Sequence, residues 1–267
     1  MRTPAILGVP FDAYSSFLRG PAQAPPLILE QFHSEASNSW SETGFDLSAP
    51  GAVTELGEVN VSSEDRAFEE ITTTIAQILA QERGPISLGG DHSITYPILK
   101  AIGPKYPNLT IVHFDAHPDL YDVFQGNRHS HACPFARIME NKLASRLIQI
   151  GIRTLNGHQR EQAQRFGVQQ FDMNHLPSPD VLKFDGPVYI SFDIDGLDPA
   201  FAPGVSHREP GGLSVRDAIR YIHAISGQIV GADIVEYNPA RDLDGITAVV
   251  AAKLLKEIAG VTIRNNR

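Results

Sequence analysis

Short apolar runs alternate along the chain with longer stretches whose apolar residues return every three or four positions. The runs at residues 5–9, 52–56, 86–88, 109–114, 146–150, 168–171, 188–192 and 228–235 have the length and apolar content of strands. Between most of them, residues 64–81, 93–102, 132–140, 158–166, 214–225 and 244–259 carry helical spacing. The proline-rich piece at residues 20–26 reads as a loop with a helix after it. Alternation of this kind predicts an α/β fold with a mostly parallel sheet and helices on both faces. It leaves the order of the strands open. No repeat, low-complexity tract or linker interrupts the pattern, so residues 1–267 are expected to form a single domain with ample core.

The polar residues that break the apolar runs gather where strands end. The buried strand at residues 109–114 runs into Asp115-Ala116-His117-Pro118-Asp119. In extended backbone, residues i, i+2 and i+4 point the same way, so Asp115, His117 and Asp119 face one point. Pro118 cannot donate to a sheet ladder, which places the segment at a strand end rather than a strand interior. In open α/β sheets, ligands collect outside the carboxyl ends of strands. The run at residues 188–192 likewise leads into Asp193 and Asp195, again two positions apart. A third piece, Gly89-Gly90-Asp91-His92-Ser93, turns from strand to helix, where glycines let the backbone bend and approach closely. One such motif alone would be an ordinary polar loop; the second acidic stretch argues against that reading.

His92, Asp115, His117, Asp119, Asp193 and Asp195 supply four carboxylates and two imidazoles, too many for one structural zinc, which takes about four ligands and favours Cys and His. They suit two divalent ions with shared carboxylates, because four negative charges cancel two ions of charge +2. Such a pair can lower the pKa of water to about 7. Mixed N/O ligation favours Mn²⁺ over Zn²⁺. The outer ring nitrogens of His92 and His117 then need partners that the sequence does not name.

Net charge is −9, which argues against a nucleic-acid partner and against an acidic membrane surface. Cys133 is the lone cysteine, so no internal disulfide forms, which fits a reducing, cytoplasmic setting. The apolar start at residues 1–10 is broken by Pro4, Gly8 and Pro10, too short and interrupted for a signal peptide or a membrane span.

GGDHS at 89–93, DAHPD at 115–119 and SFDIDGLDP at 191–199 together resemble the three signatures of the ureohydrolase family, the arginases and agmatinases, with the plant-type arginases most similar. The resemblance extends through SSFLRGPA, DAHPDLYD, HACPFARIME, APGVSHREPGGLS and GADIVEYNP to nearly the whole chain. It implies a three-layer α/β/α, arginase-like fold with a central eight-stranded sheet, two Mn²⁺ ions per subunit, a small guanidino substrate hydrolysed to urea and an amine, and a homotrimer or homohexamer. By motif, His92, Asp115, Asp119 and Asp193 would hold one ion and Asp115, His117, Asp193 and Asp195 the other, making Asp115 a shared, catalytic ligand. His131 resembles the family's mobile-loop histidine, a proton shuttle or general acid, a task suited to a group that titrates near neutrality. Glu236 resembles the carboxylate that receives the guanidinium in paired hydrogen bonds.

L-arginine is the expected substrate, with agmatine or another guanidino acid as the alternative. The two differ at the far end, and Asn127 and Arg128, in the loop after the metal motif, are placed to meet a carboxylate there. After Gly151-Ile152-Arg153 the chain carries Thr154 and Asn156, where animal-type arginases place acids for the α-ammonium, a departure that plant-type members share. His207 sits in a loop that either lines the substrate mouth or is unrelated to it. His113 reads as a hydrogen-bonded core histidine, Asp198 as a turn residue, Cys133 as a half-buried thiol and Asp233 as a candidate buried partner in the site. A phosphoester hydrolase would want a cationic clamp, and the three motifs contain no Lys or Arg. A non-catalytic guanidine-binding member would be expected to lack a ligand, His131 or Glu236, and all are present.

Overall fold

In the computed structural model, which describes residues 3–267, the apolar runs become β1 (Pro4–Val9), β2 (Thr54–Glu58), β3 (Gly84–Gly89), β4 (Thr110–Phe114), β5 (Arg146–Ile152), β6 (Gln169–Asp172), β7 (Val188–Asp193) and β8 (Ile229–Val235). They form one sheet in the order β2-β1-β3-β8-β7-β4-β5-β6, and every neighbouring pair is parallel. The sheet is therefore wholly rather than mostly parallel. The helices are α1 (Ala24–Phe32), α2 (Glu64–Ala80), α3 (Thr95–Ile102), α4 (Pro134–Glu140), α5 (Gly157–Phe166), α6 (Val215–Ala224) and α7 (Ile246–Asn265).

Period-2 alternation distributes each strand between two cores. Ile6, Ile86, Val112, Phe114, Ile190 and Phe192 face α1, α6 and α7. Ala5, Leu7, Ile111, Leu147 and Tyr189 face α2, α3, α4 and α5. Both faces of the sheet are covered, which is why the inner strands read as nearly continuous apolar runs. No helix among the described residues is long and apolar enough to cross a membrane.

Local chemistry sets the element ends. Pro25 and Pro26 open the first turn of α1, where a missing N–H costs nothing. Ser214 caps α6 by accepting the Asp217 N–H. Residues 244–259 were expected to end a helix before Gly260, yet α7 continues to Asn265. Gly260 is a contact rather than a stop: a Cβ there would lie 2.4 Å from Ser41 Oγ, so the bare Cα lets the segment around Ser41 close onto the helix. β2 lies two residues beyond the expected run because it is an edge strand with an exposed, polar sequence.

Strand order positions the site. β3, β8, β7 and β4 are neighbours in the sheet although they are far apart in the chain, and the segments that follow them diverge. A crevice opens above their carboxyl ends, the usual place for a ligand in an open α/β sheet. His92 follows β3, Glu236 follows β8, Asp193 ends β7, and Asp115 follows β4.

Candidate metal centre and substrate cavity

His92 is delivered by the turn after β3. A Cβ on Gly90 would fall 1.7 Å from the Phe11 carbonyl oxygen, so only glycine allows the segment around Phe11 to lie against the turn. Asp91 holds that turn by accepting the N–H groups of Ser93 and Tyr14, each at 3.0 Å. The imidazole of His92 is fully buried. Its Nε2 is 3.0 Å from Ser191 Oγ, and that hydroxyl donates to Asp233 Oδ1 at 2.7 Å. With its proton committed to Asp233, Ser191 accepts from Nε2–H, which leaves a lone pair on Nδ1.

That lone pair points into a nest of oxygens. Nδ1 of His92 lies 3.2 Å from Asp115 Oδ2, 3.1 Å from Asp119 Oδ2 and 3.2 Å from Asp193 Oδ2, with no hydrogen-bond partner. A buried acceptor surrounded by three more acceptors is repulsive unless a cation or protons sit among them. Beside it, His117 Nδ1 lies 3.3 Å from Asp115 Oδ1 and 3.1 Å from Asp195 Oδ2. Asp115, His117 and Asp195 converge closely enough to hold an ion between them. The fold thus brings all six candidate ligands together, with Asp115 between the two groups. The donor set, oxygen-rich with two imidazoles, fits hard or borderline divalent cations.

Backbone bonds fix the carboxylates. Asp115 Oδ1 accepts His117 N–H at 2.6 Å, Asp193 Oδ1 accepts Asp195 N–H at 2.8 Å, and Asp195 Oδ1 accepts Ala116 N–H at 3.2 Å. Asp119 and Glu236 stand at positive φ, 50° and 64°. A non-glycine residue in that region stores strain, and here both side chains are aimed into the cavity. Without cations the cluster holds protons instead. Burial, then Asp195 and Asp115, raise Asp193 well above the carboxylate range; burial, then Asp115, bring Asp119 to about 6. Burial opposes charge on His92 and His117, but their carboxylate neighbours outweigh it and raise both. Divalent ions would displace these protons, so binding is expected to release them.

Below the cluster, on the face of the sheet toward α2 to α5, runs a row of polar side chains, buried except for the half-buried Gln170. Ser87, Asp233, Ser191, His113, Gln149 and Gln170 are register partners across β3, β8, β7, β4, β5 and β6. His113 Nε2 is 2.7 Å from Asp115 Oδ2, and its Nδ1 accepts from Gln149 Nε2 at 3.0 Å. Gln149 also donates to Pro118 O at 2.6 Å and accepts from Gln170 at 2.8 Å, which fixes its amide. His113 therefore directs its N–H at Asp115. Burial lowers it to about 4 despite Asp115, so it stays neutral. It serves as a hydrogen-bonded partner of Asp115, as its depth in the strand suggested. Asp233 is likewise buried, accepting from Tyr189, Ser191 and Thr95. Asp198 forms a turn, accepting from Ala200, Gly211 and Gly212. The Cys133 thiol is fully buried rather than half-buried and is pushed up to about 12, chiefly by burial.

Above the cluster opens a cavity of about 280 Å³. Glu236 and His131 lie in its wall and pair, His131 Nδ1 to Glu236 Oε1 at 2.7 Å. Glu236 Oε1 also accepts His92 N–H at 2.9 Å. Burial would raise Glu236, but His131 outweighs it and holds the carboxyl below its ordinary value. Burial would likewise lower His131, but Glu236, then Asp91 and Asp119, push it up to about 9. The other ring nitrogen, Nε2, is 2.7 Å from Ser16 Oγ. His207 lines the mouth, with ring centroids 5.6 Å from His131 and 5.7 Å from His117.

Two expected residues are not brought to the cavity. Arg128 turns outward, its guanidinium 2.9 Å from Asp122 and 3.2 Å from Glu140. Asn127 accepts His129 N–H through its own side chain and does not line the cavity. Neither meets the far end of a substrate here, because the acidic pair Asp122 and Glu140 also holds Arg137 and draws the loop to it. Conversely, Ser16, Gln149, Ser191 and Glu209 had no assigned role. Ser191 shares strand parity with Asp193, which could have marked it; Gln149 is a lone amide inside an apolar strand, the signal available for it.

The chain matches the model of the arginase family over residues 2–260. It is 48% identical to arginase 1, mitochondrial, of Arabidopsis thaliana over 96% of this chain and 80% of that protein. It is 37% identical to agmatinase, mitochondrial, of Gallus gallus over 95% of this chain and 79% of that protein. The arginase from Medicago truncatula superposes with a TM-score of 0.92 at 43% identity, covering 98% of this chain and 87% of that one. Both curated relatives are mitochondrial by name, which overturns the cytoplasmic location expected from the lone cysteine. One free thiol excludes an internal disulfide but does not single out a compartment.

Proposed function

This chain belongs to the arginase family and is a hydrolase of guanidino compounds, and from that premise we propose that it cleaves L-arginine to L-ornithine and urea with two Mn²⁺ ions. The observation that carries the reading is the bare Nδ1 of His92 among three carboxylates, directly below the Glu236–His131 pair. We assign one ion to His92, Asp115, Asp119 and Asp193, and the other to Asp115, His117, Asp193 and Asp195. Four carboxylates balance the charge of two divalent ions, and the oxygen-rich set favours manganese. When bound, the pair supplies an activated water at neutral pH.

The chain's own residues do the rest. Glu236 receives the guanidinium, whose planar fork matches a carboxylate. Its Oε1 is occupied by His131 and by His92 N–H, so an arriving guanidinium meets Oε2 first and competes with His131 for Oε1. His131, held protonated at neutral pH by Glu236, then has a proton to deliver to the leaving amine. The same membership supports a homotrimer or homohexamer in solution.

Arginine is favoured by the higher identity to the plant arginase than to the agmatinase, 48% against 37%. Agmatine is the second reading, favoured by one observation: among the described residues no Lys or Arg lines the cavity to receive an α-carboxylate. The test is kcat/KM for both compounds with Mn²⁺-loaded protein. L-arginine should exceed agmatine by at least about tenfold, the scale of one polar contact of roughly 1.4 kcal/mol. The reverse order would replace arginine by agmatine. Arg128→Ala should change neither value, since that side chain is tied to Asp122 and Glu140.

A further inference from the structure

We propose that Glu209 is a specificity-determining residue that receives the ammonium at the far end of the substrate, an inference that rests on the guanidino-hydrolase reading above. Outside the six candidate ligands, the cavity wall contains two carboxylates, Glu236 and Glu209. Glu236 sits in the buried floor; Glu209 is at the mouth, with its side chain 40% exposed.

The carboxylate of Glu209 has no hydrogen-bond partner among the described residues. Its nearest cationic candidate, His117 Nε2, is 3.9 Å away, beyond hydrogen-bond reach. Its backbone, by contrast, is held firmly. Glu209 O accepts from Arg153 Nε at 2.9 Å and Nη2 at 2.6 Å. The same guanidinium also donates to the carbonyls of Asp195 and Leu197, binding the rim to the end of the acidic segment after β7. Asp198 Oδ2 accepts Gly211 and Gly212 N–H at 2.6 and 3.1 Å. A firmly held rim thus presents to the cavity a carboxylate that accepts no hydrogen bond among the described residues.

Arg153 is spent on carbonyls and does not line the cavity, so each end of the wall carries a carboxylate and, among the described residues, no Lys or Arg stands beside either. A ligand with a guanidinium at one end and an ammonium at the other satisfies both carboxylates. A guanidino acid without an ammonium would place its own carboxylate against Glu209, a like-charge contact that disfavours it.

The test compares wild type, Glu209→Gln and Glu209→Asp, all Mn²⁺-loaded, on L-arginine and agmatine, with butylguanidine read as substrate or competitive inhibitor. Direct binding of L-ornithine by calorimetry gives a readout independent of turnover. Loss of one half-exposed, charge-assisted contact predicts a KM about tenfold higher for whichever of L-arginine and agmatine the wild type turns over, and L-ornithine binding about tenfold weaker. kcat should stay within about twofold, the butylguanidine constant should be unchanged, and Glu209→Asp should retain part of the effect. An equal change for butylguanidine, or a fall in kcat with KM unchanged, would overturn the assignment while leaving the hydrolase reading intact. Absence of urea from every compound with wild type would remove both.

Discussion

Asp193→Asn should all but abolish urea release, lowering kcat by more than about 10⁴-fold, beyond the range of a single acid–base group. Asp193 is buried at the end of β7 and lies 3.2 Å from His92 Nδ1. Its other oxygen accepts Asp195 N–H, so it also orients the next ligand. An amide of the same shape keeps the packing but removes one of four negative charges and turns an NH₂ toward either the cations or the Asp195 N–H. With two divalent ions held as proposed, charge balance at both would fail, and the activation of water would fail with it. Manganese content measured on the variant should fall below the wild-type value under the same dialysis. Retention of most of the wild-type rate would mean that Asp193 is not shared between two ions.

His131→Ala should cost less, about 10²-fold in kcat, because water or buffer can partly replace a proton donor. Added imidazole should recover part of the rate, and no recovery would contradict the proton-transfer role. The pair also has a signature in the metal-free protein. His131 stands at about 9 in the folded state against an ordinary 6.5, so its contribution to stability is complete below the ordinary value and is lost as pH rises through 9. Glu236 is held below its ordinary value, so its contribution is present above that value and is lost as pH falls through the depressed one. Between these limits the pair is intact. Thermal unfolding should therefore show the gap between wild type and His131→Ala shrinking from pH 7 to pH 10. A constant gap would mean that His131 is not held protonated.

Five of the six candidate ligands, Asp115, His117, Asp119, Asp193 and Asp195, were legible as metal-ligand side chains spaced two apart at strand ends, although the backbone that brings them in is not simple strand: Asp119 stands at positive φ and Asp195 lies in a short 3-10 turn. Their meeting was not, because it depends on β3, β8, β7 and β4 lying side by side, and strand order is decided by long-range packing. The motifs' joint resemblance to one family bridged that gap. Loop residues fared worse for the same reason. Arg128 has a guanidinium suited to a carboxylate, but Asp122 and Glu140 claim it, and no spacing rule announces such a pairing. Gln149 reads as a polar interruption in a strand, and its use appears only when β4 and β5 bring it against His113. The expected end before Gly260 failed because glycine can mark a close contact as well as a helix end.

The two-ion site is tested most directly by titrating Mn²⁺ into metal-free protein and reading bound metal and urea from L-arginine on the same samples. Urea release should rise with occupancy and level off at two ions per chain. Full activity at one ion per chain, or undiminished activity in the presence of a chelator that leaves no bound metal, would contradict it.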